Sequence, residues 1–529
     1  MSNYDYVVVG AGSAGCLLAA RLTEDRSARV LLIEAGGKDR GPKVKIPAAF
    51  PQQFQTKLDW NFETEPEPGC DDRRLYIPRG RSLGGSSSMN AMLYVRGCAA
   101  DYDGWAAEGC EGWSWEEVLP YFKRSERREG DADAGLHGTG GTLNVADVRS
   151  PRKLTELMID AARANDYPLD PDYNDGEPDG ITRSQATQKN GRRWSSADAF
   201  LRPALKRPNL TVLTKAQVLG LDVAGDRVTG VRYARGRKAG TATASREVIL
   251  SAGAIGSPQI LLLSGVGPAA ELAPLGISAK VDLPGVGKNL QDHPYVVGIW
   301  ESAIGESLLD AEKPGAMLEF LRRGTGPLTS PVAEAMLWTR SNQEETAPDL
   351  QFHLAPAFFS QNGFEESDEH AYTIGPVLVA PKSRGELTLR SADPAAKPRI
   401  LGNHLTEQAD VDALVEGMRI ARRLARTEPL ASATGREMYP GPAVGDDDES
   451  LAADARRRVE LLYHPAGTCK MGTGDDAVVD PELRVRGVEN LRVMDCSVMP
   501  TITRGNTNAP TYMIAEKAAE MIKGAPAPA

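Results

Sequence analysis

Several features that define other kinds of protein are missing from this chain. Its six cysteines (Cys16, Cys70, Cys98, Cys110, Cys469 and Cys496) form no Cys-x-x-Cys pair. Neither a zinc site nor a disulfide framework is therefore indicated, and free buried thiols are expected. The most apolar stretch, 248–266, is interrupted by Gly253, Gly256, Pro258 and Gly265, so it cannot cross a bilayer as a helix. Positive charge is not in excess. The net charge of −11 argues against nucleic acid and anionic membrane as main partners. Internal repeats are absent, and low complexity is confined to the tail Ala525–Ala529, where disorder is expected. Met1-Ser2-Asn3 runs straight into an apolar run without room for a signal peptide, which predicts a cytoplasmic protein. Imidazoles are scarce as well: the six histidines stand at 137, 293, 353, 370, 404 and 464.

What is present begins at the N-terminus. Val7-Val8-Val9-Gly10 opens into Ala11-Gly12-Ser13-Ala14-Gly15, and nineteen positions after Gly15 stands Glu34, closing the apolar run 30–33. Strand, glycine turn, helix and second strand ending in a carboxylate form the unit that holds the ADP half of a dinucleotide. Gly10 allows the tight turn, Gly12 lets backbone approach the pyrophosphate, and Gly15 lets the helix pack on the strand. The first helical N–H groups face the phosphates. Glu34 accepts the ribose hydroxyls and repels a phosphate there, favouring FAD or NAD over NADP.

With 529 residues, 41% hydrophobic and 25% charged, the chain is a globular protein too long for one compact core. Residues 210–233 alternate around Ala224-Gly225-Asp226 as a hairpin does. Residues 247–251 read as a buried strand followed by a glycine turn and a helix from Ser257-Pro258 onward. Residues 491–495 read as another buried strand, and 510–523 as a helix with Pro510 in its first turn and Gly524 at its end. Strand-turn-helix units thus occur at the beginning, middle and end of the chain. The predicted class is α/β (α+β overall): a Rossmann-like nucleotide domain built from discontinuous segments, 1–150, 211–295 and 461–529, and a second domain, 151–210 and 296–460, with an antiparallel sheet and helices.

Four further segments resemble the glucose-methanol-choline (GMC) oxidoreductases, specifically the choline-dehydrogenase-like bacterial alcohol oxidoreductases. They are 80–90 with Tyr94, Gly97 and Asp103; 253–267; 285–294; and 463–472 with 506–510. Pro348-Asp349-Leu350-Gln351-Phe352-His353 adds to the likeness. The resemblance implies FAD as cofactor. It implies that Gly85, Ser86, Asn90, Ala91, Met92 and Leu93 lie along the flavin with Arg81 nearby. It also implies that Val218 lies by the adenine, that Trp60 belongs to a lid, and that Ala35, Asp495, Cys496, Thr507 and Asn508 sit at the cofactor. Some relatives bind FAD covalently through a histidine that precedes the signature asparagine. Met89 stands there in this chain, so non-covalent FAD is expected. His293 and His353 match family landmarks and are read as structural.

The implied chemistry is oxidation of an alcohol to an aldehyde or ketone, with flavin N5 taking the hydride. His464, whose backbone is biased to an extended form by Pro465, is the expected base. Asn506 is the expected hydrogen-bond donor to the developing alkoxide, although Asn508 is only two residues away. The start of the last helix turns its positive dipole end toward the flavin. Oxygen, a quinone or an electron-carrier protein is the reoxidant. Trp338, Phe352, Phe358 and Phe359 are candidates for the substrate pocket, equally suited to the core. A choline-type substrate requires a carboxylate, for which Glu301, Glu319 and Glu334 are available. An NAD-dependent dehydrogenase fits the first 40 residues alone but has no use for the segments around Gly85 and His464. A FAD-containing lyase of the hydroxynitrile-lyase type is the alternative within the family. No metal site is expected.

Overall fold

The computed structural model describes residues 2–524; the tail Ala525–Ala529, for which disorder is expected, lies outside them. Two sheets organise the described residues. The first is built on Ser2–Val9, which pairs in parallel with Val30–Glu34 on one side and Lys238–Leu250 on the other. Every residue of Val30–Glu34 is buried, as expected of a parallel strand covered on both faces. Lys238–Leu250 serves two neighbours in succession. Its first part takes Arg227–Arg235 antiparallel, and its last three residues take Leu491–Val493 in parallel. The C-terminal strand is thereby brought beside the N-terminal nucleotide unit.

Two sequence expectations are corrected here. The hairpin is confined to Gln217–Ala224 and Arg227–Arg235, whereas Leu210–Thr214 pairs in parallel with Val30–Glu34. Alternation alone cannot reveal the break between them, where Lys215 adopts φ 56° and donates its N–H to Gly36. The central helix spans Gly253–Leu263 and starts four residues before Ser257, the expected start. Pro258 has no N–H for the Ala254 carbonyl, but the Thr468 hydroxyl donates to that carbonyl at 2.6 Å and relieves the deficit.

The second sheet is antiparallel. Its main order is Thr434–Tyr439, Gly298–Ser302, Ala371–Leu378, Leu350–Ala355, Ala335–Thr339 and Gly180–Arg183, with Pro294–Tyr295 and Glu460–Leu461 attached at the side. The helix Gln408–Ala425 lies close over one face: a Cβ added at Gly417 would sit 2.6 Å from Pro376 and 3.6 Å from Leu350. Leu350, Phe352 and Leu354 share that face, which sends His353 and Ala355 to the other. In the nucleotide layer, the helices Ser13–Leu22 and Asn508–Lys523 are tied by Arg21 and the fully buried Glu516 carboxylate at 2.7 Å. Among the described residues, no helix is long and apolar enough to cross a membrane.

Candidate functional site

A cavity of about 310 Å³, within the range of ligand sites, runs from the first glycine turn to the face of the antiparallel sheet that carries His353. At its nucleotide end, Gly10 turns the chain with φ 95°, and a Cβ on Gly15 would lie 1.9 Å from the Gly10 carbonyl. Gly15 therefore acts through packing and does not itself line the cavity. Gly12, Ser13, Ala14, Glu34, Ala35 and Val218 do line it. Glu34 accepts from Ala11 N at 2.9 Å and Gly36 N at 2.7 Å, leaving lone pairs on both oxygens. Burial pushes its carboxyl up to about 7.

Gly85 closes over this turn, its bare Cα side facing Gly12; a Cβ there would lie 2.7 Å from Gly12 Cα. Ser86 and Asn90–Leu93 continue along the wall. Asn90 is held by its carbonyl, which accepts from Arg193 Nη1 at 2.7 Å and from Met92 N at 3.1 Å. Trp60 lines the cavity, stacked on Phe62 at 6.0 Å, with the Arg81 guanidinium 4.6 Å over its ring. Arg81 itself is not in the wall. Arg79, two residues earlier, is, and sequence reading missed it because both arginines have the same local context.

Asp495 accepts from Gly253 N at 2.9 Å, Ser257 Oγ at 2.6 Å and Ser497 N at 2.9 Å, joining the start of the central helix to the C-terminal strand. Cys496, Thr507 and Asn508 line the cavity beside it, and Asn508 Oδ1 accepts from Ser13 Oγ at 2.7 Å. These features suit a dinucleotide: bare glycines at the close approaches, a free helix N-terminus and a carboxylate with spare lone pairs. FAD would be held by these residues.

The two residues assigned to chemistry meet at the far end. His464 Nε2 lies 3.2 Å from Asn506 Nδ2, and both residues line the cavity. An amide nitrogen only donates, so Nε2 carries the lone pair and the ring proton sits on Nδ1. His464 Nδ1 lies 3.0 Å from Nδ1 of His293, which accepts it. Asp292 Oδ1 accepts the backbone N–H of both His464 (2.7 Å) and His293 (2.8 Å), fixing the two rings relative to one another. Burial, then the neighbouring His293, His353 and Arg79, holds His464 well below the usual histidine range. The base is therefore neutral at ordinary pH. Burial pulls His293 down to about 3 and His353 to about 4.

His353, read from sequence as structural, projects into the cavity from Leu350–Ala355, opposite Gly375, whose missing side chain leaves it space. Its Nε2 and Asn506 Oδ1 are buried without a hydrogen-bond partner among the described residues. Of the four aromatic pocket candidates only Phe359 lines the cavity. Phe352 points to the opposite sheet face, Trp338 stacks on Tyr173 at 4.7 Å, and Phe358 packs on Tyr439. The remaining wall includes Met89 and Tyr463 from the GMC-like segments, and Phe50, Phe54, Tyr295 and Val332, which no local pattern singled out. Three non-glycine wall residues, Met92, Val332 and Tyr463, hold φ between 65° and 73°. Such left-handed strain, costly above all for β-branched Val332, gathers where a site dictates the backbone.

Comparisons with known proteins point to one family. Two family profiles, both described as GMC oxidoreductase, match residues 4–295 and 381–515. An alcohol dehydrogenase [acceptor] of Pseudomonas putida is 41% identical, covering 98% of this chain and 95% of its own length. The mitochondrial choline dehydrogenase of Mus musculus is 44% identical, covering 99% and 90%. Among solved structures, an Aspergillus oryzae formate oxidase studied for its FAD modification superposes with TM-score 0.92 at 29% identity, covering 99% and 98%.

Proposed function

The chain belongs to the GMC oxidoreductase family, and from that premise we propose that it oxidises an alcohol to an aldehyde or ketone with His464 removing the hydroxyl proton. It is an FAD-dependent oxidoreductase of CH–OH groups. FAD supplies, when bound, the acceptor for the hydride that leaves the alcohol carbon. The observation that carries the reading is the pairing of His464 Nε2 with Asn506 Nδ2 at 3.2 Å on the cavity wall. A hydroxyl oxygen that faces both atoms from the cavity displaces their direct bond; it then meets the Nε2 lone pair on one side and the amide N–H on the other, so the proton leaves as the alkoxide gains a donor. The His464 cation then keeps its Nδ1–H on His293. The Arg79 guanidinium adds positive potential near the developing alkoxide.

Met89 offers no imidazole and packs against Phe50 and Phe54, which supports FAD held without a covalent bond. We assign 1–150, 211–295 and 461–529 to the FAD-binding domain, and 151–210 and 296–460 to the substrate domain. A lyase reading gains nothing from the relatives above, which are dehydrogenases and an oxidase. Oxygen or another acceptor would complete the cycle.

The test is anaerobic mixing of the flavoprotein with alcohols while the flavin absorbance is followed. Bleaching by an alcohol, slowed by roughly 10²- to 10⁴-fold in His464→Ala with FAD content retained, is the expected result. A flavin that stays oxidised with every alcohol, or a His464→Ala enzyme that bleaches at the parental rate, would overturn the proposal.

A further inference from the structure

The curated relatives include choline dehydrogenases, yet the charge lining this cavity does not suit a cation. Its acidic wall residues are Glu34 and Asp495. Both are engaged at the nucleotide end, Glu34 by two backbone N–H groups and Asp495 by two N–H groups and a hydroxyl. Around His464 the one charged wall residue is Arg79, a cation. The carboxylates available in sequence lie elsewhere. Glu334 accepts from Arg152 N and Thr155 Oγ1, Glu319 accepts from Thr325 Oγ1, and Glu301 faces Arg436. Behind the wall, Glu460 is covered by Tyr295, whose hydroxyl donates to it at 2.9 Å, and by Asn362 N at 3.0 Å.

The aromatic residues do not form a cage for an ammonium either. Phe54 meets Phe50 at 73° and Tyr463 at 75°, with centroids 5.8 and 5.6 Å apart, and it also contacts Tyr76 and Phe364 edge-on. Phe54 is thus engaged with its neighbours in edge-to-face pairs, while Phe50 and Phe359 lie 6.1 Å apart at 31°. The Arg79 guanidinium is held to the backbone, with Nε donating to Pro78 O at 2.5 Å and Nη2 to Tyr463 O. What remains for the non-reacting end of a substrate is an apolar slot bounded by Phe50, Val332, Phe359 and Tyr463.

We infer that the substrate is an alcohol whose non-reacting part is uncharged and apolar, about the size of an aromatic ring, and that quaternary-ammonium alcohols are rejected. The inference rests on the alcohol-oxidising reading of the His464 site. A fixed cation would lose its hydration in this slot without gaining a carboxylate, whereas a neutral group loses little and gains contact with the rings.

Anaerobic flavin reduction with choline and its uncharged isostere 3,3-dimethylbutan-1-ol, alongside benzyl alcohol, isolates charge from shape. The neutral alcohols should reduce the flavin at least roughly 100-fold more efficiently than choline. Val332→Asp places a carboxylate on the wall at a left-handed position that aspartate tolerates. It should narrow the choline gap by roughly tenfold or more, with FAD absorbance confirming a folded enzyme. Choline as efficient as its isostere, or an unchanged ratio in a flavin-replete Val332→Asp enzyme, overturns this inference and leaves the alcohol-oxidising reading intact. No bleaching by any alcohol overturns both.

Discussion

His293 and His464 face one another Nδ1 to Nδ1 at 3.0 Å, with their rings 82° apart. One shared proton satisfies both atoms, and the amide of Asn506 on the other side decides that it belongs to His464. Replacing His293 by Phe removes the acceptor and frees the His464 tautomer. The rate of flavin reduction should fall roughly 10- to 100-fold, as when an orienting partner is lost elsewhere, while FAD content is unchanged. His293→Asn keeps a carbonyl acceptor and should recover most of the rate. Equal loss in both variants would indicate a purely structural histidine.

His464 also sets the pH behaviour of catalysis. Its charged form is disfavoured by burial and by nearby positive groups, so its value lies well below 6.5. The free enzyme therefore holds a neutral base under conditions that would charge an ordinary histidine. The acid limb of kcat/KM should fall well below the pH 6.5 of an ordinary histidine. A half-maximal value at or above pH 6.5 would contradict this account.

Glu34 links cofactor binding to pH. Burial raises the carboxyl to about 7 in the apoprotein, and ribose hydroxyls donate to the ionised form. Below pH 7 a proton must leave before FAD binds, so affinity should rise with pH. Between pH 6 and 8 the gain should be roughly tenfold, measured by quenching of FAD fluorescence. Glu34→Gln should bind more weakly and without this dependence.

Gly15→Ala probes the packing of the first helix. The new Cβ would lie 1.9 Å from the Gly10 carbonyl, a backbone atom that cannot move without reshaping the turn. The variant should lose FAD and show a lower Tm, whereas Gly225→Ala, whose Cβ meets nothing within 4 Å, should keep its flavin.

Arg96 holds a buried cluster a few residues beyond the wall segment Asn90–Leu93. It pairs with Glu126 at 2.8 Å, both side chains fully buried, and Glu126 also contacts His137 at 3.0 Å. Arg96→Met leaves a buried carboxylate without its main partner and should cost about 3–5 kcal/mol of stability in urea melts. Adding Glu126→Gln should restore part of the loss.

What the sequence by itself determined was local. The turn at Gly10, the packing of Gly15, Glu34 at the end of the second strand and the helix ending at Gly524 depend on sterics and spacing within a few tens of residues. The GMC resemblance added His464 and Asn506, both of which the fold brings to one cavity. Tertiary structure decided the rest, because it depends on elements far apart in the chain. Whether Arg79 or Arg81 reaches the wall, and whether His353 or Phe352 faces the site, turns on which side of each strand or loop the packing covers. His293 meets His464 across 171 positions only because the nearby strands Pro294–Tyr295 and Glu460–Leu461 pair. The electrostatic character of the substrate slot is likewise set by where each distant carboxylate finds its own hydrogen-bond donors.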